Sequence, residues 1–182
     1  MPADALAGVA YTQVLSVSGG IAPYQYELSG ALPAGIVFDP ASGTLSGTLT
    51  EAGSFAISVS VSDSTAGTAA SLVQAYTLQV MAAELQLTPS SLPAGNYGQA
   101  YQQLLSVSGG TAPYRYAVTS GSLPSGLQLD ADGGISGLVG ADGSFALRIT
   151  ATDALGFSGH QDYVLLIGQR PDPRQDPDVR GL

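Results

Sequence analysis

The chain states one sequence twice. Residues 11–80 open with YTQVLSVSGGIAPYQYELSG and close with YTLQV, and residues 101–167 open with YQQLLSVSGGTAPYRYAVTS and close with YVLLI. A period of about 90 residues is too long for a solenoid unit and suits a whole small domain in tandem. Each copy has roughly 85 residues, near the lower limit for a core that needs no covalent or metal staple. No staple of cysteine is available, because the chain has none. That also removes thiolate metal sites and a cysteine nucleophile from consideration.

Charge narrows the partners. The formal net charge is −9, with five Lys and Arg together against 14 Asp and Glu, and all five cations are arginine. Such a surface repels nucleic acid and anionic membranes. No apolar run reaches the length of a membrane span, and residues 1–10 lack the basic and apolar regions of a signal peptide. The start at Met1 is therefore read as the start of an excised piece. The repeat points the same way. Ahead of Tyr101 runs the leader ELQLTPSSLPAGNYGQA from Glu84, whose first part alternates like a strand, whereas ahead of Tyr11 only the counterpart of its second part is present. The first copy is expected to have a shortened or missing opening strand. An exposed sheet edge should result, open to pairing with another chain.

Periodicity gives an all-β fold. Phe55, Ile57, Val59 and Val61 alternate with small polar residues, and Phe145, Leu147, Ile149 and Ala151 repeat the pattern. Tyr76, Leu78, Val80 and Tyr163, Leu165, Ile167 close the two copies in the same manner. Alternation of this kind marks antiparallel sheets with one face in a core and one in water. Turn signals at Gly19-Gly20, Pro33 to Gly35, Ser42-Gly43 and Ala52-Gly53, with their counterparts, cut each copy into about seven short strands. The pattern predicts two tandem seven-stranded Ig-like or cadherin-like β-sandwiches, residues 1–82 and 83–168, followed by a short C-terminal linker tail, residues 169–182.

The ordered motifs SGG-x-APY-x-Y, LP-x-G, (L/I)SG, GSF and a closing Asp stand in both copies. On these residues the chain resembles the bacterial family called Putative Ig, which is related to the cadherin-like modules of dystroglycan. The resemblance covers nearly all of residues 1–168 and implies a seven-stranded sandwich in multi-copy surface proteins, without implying a ligand. The tail, QRPDPRQDPDVRGL from Gln169, is similar to the segment that joins Ig-like passengers to the outer-membrane barrel of autotransporters. Asp176-Pro177-Asp178 has the form of a helix start, with Asp as cap and Pro at the first helical position. The resemblance thus implies a membrane-proximal passenger region with a barrel downstream.

Catalytic chemistry finds little to work with. His160 is the only histidine, beside Gly159 in an expected loop, and the first copy has no equivalent. No G-x-S-x-G elbow is present, and the chain is read as not an enzyme. Eight of the nine tyrosines form matched pairs, 11/101, 24/114, 26/116 and 76/163, which the fold explains more economically than a ligand does. Tyr97, Phe157 and His160 stand outside those pairs and are the candidate binding residues, with packing at a domain junction the plainer role for Phe157. Among the acids, Asp39 and Asp63 recur as Asp130 and Asp153 at strand-to-loop transitions. With Glu84 and Asp132, the pair Asp130 and Asp153 forms a candidate calcium set at the junction, where Glu51 of the first copy could join. The alternative is Asx capping of turns by the same carboxylates.

Together these readings predict a non-catalytic extracellular stalk or spacer on the bacterial cell surface, anchored through an outer-membrane barrel in the full-length protein. No cofactor is required and calcium is optional. The partners are neighbouring repeats and that barrel, and no nucleic acid. The alternative is an adhesin module that itself binds a glycan or a host protein.

Overall fold

A computed structural model describes residues 5–170 and divides the chain into two compact units, Met1–Ala83 and Glu84–Leu182. Among the described residues every regular element is a strand. Unit 1 has β1 (Ala5–Leu6), β2 (Ala10–Val14), β3 (Gln25–Gly30), β4 (Ile36–Asp39), β5 (Thr44–Thr48), β6 (Gly53–Ser62) and β7 (Ser71–Met81). They form one sheet in the order β1-β7-β6-β3 and another in the order β2-β5-β4. Unit 2 has β8 (Gln86–Thr88), β9 (Gly95–Asn96), β10 (Ala100–Leu104), β11 (Ser106–Ser108), β12 (Arg115–Gly121), β13 (Leu127–Leu129), β14 (Gly134–Leu138), β15 (Gly143–Thr152) and β16 (Ser158–Gly168). Its sheets repeat those of unit 1 as β9-β16-β15-β12 and β10-β14-β13, and a further pair, β8-β11, is added. The expected all-β architecture in two tandem sandwiches is what the chain adopts.

The alternation read from the sequence becomes the inside and outside of each sheet. On β6, Ile57, Val59 and Val61 are buried while Ser58 and Ser60 lie between them on the other face. On β15, Leu147, Ile149 and Ala151 do the same. The second sheet of each unit contributes a central leucine or isoleucine, Leu45 from β5 and Ile135 from β14, both fully inaccessible. Burying such a side chain contributes about 1.5–3 kcal/mol, and nine leucines and isoleucines are among the thirteen buried residues that form the core of unit 2 around Ile149 and Leu165.

The LP-x-G motif has a backbone reason. Gly35 and Gly126 end the turns ahead of β4 and β13 with φ of +89° and +86°, a left-handed conformation that a side chain disfavours. A Cβ at either position would also strike a carbonyl oxygen, that of Thr48 or of Leu138. Only glycine meets both conditions. The APY motif carries a cis peptide in both copies, at Ala22-Pro23 and Ala112-Pro113.

Two local outcomes differ from the sequence reading or sharpen it. His160 lies on β16, paired with Thr150, and not in a loop. The turn ahead of β16 is tight enough to end at Phe157, so the strand already includes Ser158 and Gly159. The opening strand of unit 2, β8, pairs antiparallel with β11 through Thr88, Leu87 and Gln86 opposite Ser106, Val107 and Ser108. The matching residues of unit 1, Ser16 to Ser18, form no strand. The expected helix start at Asp176 lies outside the described residues.

Candidate functional site

The acids singled out in unit 2 are placed by two turns and by the segment ahead of β8, which carries Glu84. Asp153 follows directly on β15. Its Oδ2 accepts the Thr111 N–H at 2.9 Å, and its Oδ1 accepts the N–H groups of Leu155 and Phe157 at 2.9 and 2.8 Å. It is the one buried charged residue among those described, 6% exposed, and those three donors replace the water it has lost. Asp130 sits in the β13–β14 turn, where its Oδ1 accepts the N–H groups of Asp132 and Gly134 at 2.9 and 2.8 Å. Asp132 and Glu84 are exposed. Among the described residues no three Asp, Glu or His side chains converge as a metal site would require.

Unit 1 uses the same turn chemistry. Asp63 accepts from the backbone N–H groups of Ile21, Ala70 and Thr65 and from the Thr65 hydroxyl. The Thr65 hydroxyl first, and then the Ile21 N–H, hold its carboxyl down at about 2. Asp39 accepts from the Ser42 hydroxyl and the Ala41 N–H, which lower it in that order. The loop after Asp63 runs through to Ala70, and the loop after Asp153 only to Phe157. Even so, the aspartate grips the last residue of each loop identically, Ala70 or Phe157. The carboxylate closes the loop whatever its length, an Asx-type role. Glu51 likewise accepts from the Ala34 N–H at 2.7 Å within unit 1.

The matched tyrosines serve the fold as well. Tyr24 and Tyr114 donate to the carbonyls of Gly19 and Gly109 at 2.7 and 2.9 Å, each closing its own SGG-x-APY turn. Tyr101 reaches the Pro93 carbonyl at 3.0 Å, and Tyr163 the Pro89 carbonyl at 2.9 Å.

The three residues outside the repeat do not gather into one site. Tyr97 is half-buried, packs on the core of unit 2, and has the Arg170 guanidinium 5.4 Å from its ring centroid. Phe157 is half-buried at the β15–β16 turn, with its N–H and C=O both bonded to Asp153. His160 is exposed on β16.

With this geometry in hand, comparison decides the family. The family described as Putative Ig domain matches residues 2–81 and again residues 84–168. The chain belongs to it. The two units are Ig-like domains, and domains of this kind are as a rule extracellular and non-catalytic, used as spacers or adhesion modules. No curated protein matches the chain. Among solved structures it is similar to a putative alpha-galactosidase/melibiase of Bacteroides fragilis, at 26% identity over 46% of this chain and 17% of that one, with a TM-score of 0.41. Protocadherin Gamma B2 extracellular domains 1–5 follow at 16% identity, covering 90% and 41%, with a TM-score of 0.37. Domains 22–24 of mouse cadherin-23 follow at 15% identity, covering 85% and 57%, with a TM-score of 0.39. The chain spans less than two thirds of each of these structures, and likenesses this loose carry no function across. No described helix is long and apolar enough to cross a membrane, which says nothing of a β-barrel.

Proposed function

We propose that the two Ig-like domains are a spacer in a bacterial surface protein, holding a more distal region away from the membrane. One observation carries the reading. Three pairs of polar side chains that the two copies share are engaged in building the copies themselves: Tyr24 and Tyr114 in the SGG turns, Asp63 and Asp153 in the last loops, Asp39 and Asp130 in the β-turns. What is constant between the domains is a way of folding. A net charge of −9 with few cations suits a solvated stalk outside an anionic membrane. The likeness of residues 169–182 to the segment before an autotransporter barrel supports an outer-membrane anchor downstream.

Replacement in the parent surface protein tests this. Residues 5–168 are exchanged for two unrelated sandwiches of similar length, and adhesion of the bearing cells to matrix and host cells is counted. A spacer survives the exchange with adhesion intact. Adhesion lost on exchange, and lost equally with Phe157→Ala or Tyr97→Ala in the native domains, would make the region an adhesin module in its own right.

A further inference from the structure

The repeat gives each position of unit 1 an internal standard in unit 2, and along one face the two disagree. In unit 2 the opening segment lies over the sandwich with Leu85 and Leu87 buried, 8% and 6% exposed. Beneath it Leu105 and Tyr163 are each 2% exposed and Asp153 is buried. The counterparts in unit 1, Leu15, Tyr76 and Asp63, are only half-buried. Residues Ser16 to Ser18, which match β11, have no strand partner among the described residues. Two adjoining grooves run along this face, lined by Leu15, Val17, Tyr24, Val61, Leu72 and Tyr76. The glycines agree with this. A Cβ on Gly109 would strike the Glu84 carbonyl, while one on the matching Gly19 would meet nothing. By the same register, the positions equivalent to Glu84–Pro89 fall before Met1.

We propose that this face of unit 1 is a receptor for a β-strand. The occupant is an extended peptide of the Glu84-Leu-Gln-Leu-Thr-Pro89 type, supplied from outside residues 1–182. What covers the matching face of unit 2 is visible in the same molecule, so the occupant's chemistry is read directly. It has apolar side chains two residues apart to enter the groove, and a free backbone edge to pair antiparallel with Ser16 to Ser18. A threonine follows to meet the Ser16 hydroxyl, as Thr88 Oγ1 meets Ser106 Oγ at 2.7 Å. A carbonyl after it lies within reach of the Tyr76 hydroxyl, as that of Pro89 does for Tyr163. The Glu84–Pro89 segment of a second copy does not fit the role, because it is already held in its own unit by β11 and the core.

One residue sets the condition for entry. Gly159 of β16 lies against the backbone of Leu85, where a Cβ would collide with the Leu85 carbonyl. Its counterpart on β7 is Leu72, 59% exposed and lining both grooves. The Leu72 side chain occupies the path that the strand backbone takes in unit 2, so it must swing outward before a strand can seat. Leu72 is the gate of the site.

The proposal stands on the repeat itself and is independent of the spacer reading. Its test uses the full 182-residue chain, isotope-labelled, with a synthetic peptide of the Glu84–Ser90 sequence. The same heptapeptide is also joined directly ahead of Met1, where it falls in register and acts at an effective concentration on the millimolar scale. The expected result is hydrogen-exchange protection of Ser16, Val17 and Ser18 and a higher melting temperature for unit 1. Neither effect should appear with a peptide whose two leucines are replaced by aspartate. Leu72→Gly, which restores the residue unit 2 uses, should tighten binding of the free peptide by roughly tenfold. If the joined chain shows the same exchange at Val17 and the same unit 1 melting as the unextended chain, the proposal is overturned. Protection of Ser16 to Ser18 that appears without peptide and grows with protein concentration would assign the face to a second copy and overturn it equally.

Discussion

The hydroxyl of Tyr163 donates a 2.9 Å hydrogen bond to the carbonyl of Pro89, seventy-four residues earlier in the chain. The bond ties the last strand of unit 2 to the end of its first, and burial of the ring raises the phenol's pKa. Tyr76, the counterpart in unit 1, is half-buried and has no such segment above it among the described residues. The same residue type at the same register position thus has two environments, set by whether a strand covers it.

Tyr163→Phe should therefore cost unit 2 about 1 kcal/mol, the worth of one hydrogen bond and of the acceptor left behind. Tyr76→Phe should change unit 1 by less than half of that. Native-state hydrogen exchange reads each unit separately, and equal losses would refute the contrast.

Asp153→Ala removes the acceptor of three backbone N–H groups in a part-buried turn. A loss of roughly 3 kcal/mol is expected from unit 2, with Asp153→Asn intermediate because the amide oxygen still accepts. Urea unfolding followed by exchange at Thr111 and Phe157 measures both.

Acid should weaken unit 1 through Asp63. Its carboxyl is held at about 2 in the fold against an ordinary value of 3.8, so the unfolded chain takes up the proton first as pH falls. The stabilisation is present in full above pH 4 or so and is lost on the way down to about pH 2. Asp63→Asn should flatten the melting temperature of unit 1 across that window. A variant with the same slope as the native chain would show that another group, with Asp39 the first candidate, carries the acid sensitivity.

Calcium should leave the melting of both units unchanged. Asp153 already spends both oxygens on backbone N–H groups, and Asp130 spends one on two of them. A melting temperature higher in millimolar calcium than in chelator, and reversed by Asp130→Asn, would restore Glu84, Asp130, Asp132 and Asp153 as a ligand set.

Side-chain alternation and turn residues are local properties, and they were legible without the structure. The buried run Ile57, Val59, Val61 and its twin Leu147, Ile149, Ala151 follow from a period of two. Gly35 and Gly126 follow from turns that need a left-handed residue. The repeat alone sufficed to count the domains and to show that the leader Glu84–Thr88 of unit 2 has no counterpart within residues 1–10. Partners distant in sequence were not legible. Nothing local says that the Thr111 N–H finds Asp153, that His160 sits on β16 beyond a short turn, or that Gly159 lies against the backbone of Leu85. Those relations arise when two sheets close on one another and bring residues 40 to 75 positions apart within a few ångström, and only the folded chain settles which side chain lies there.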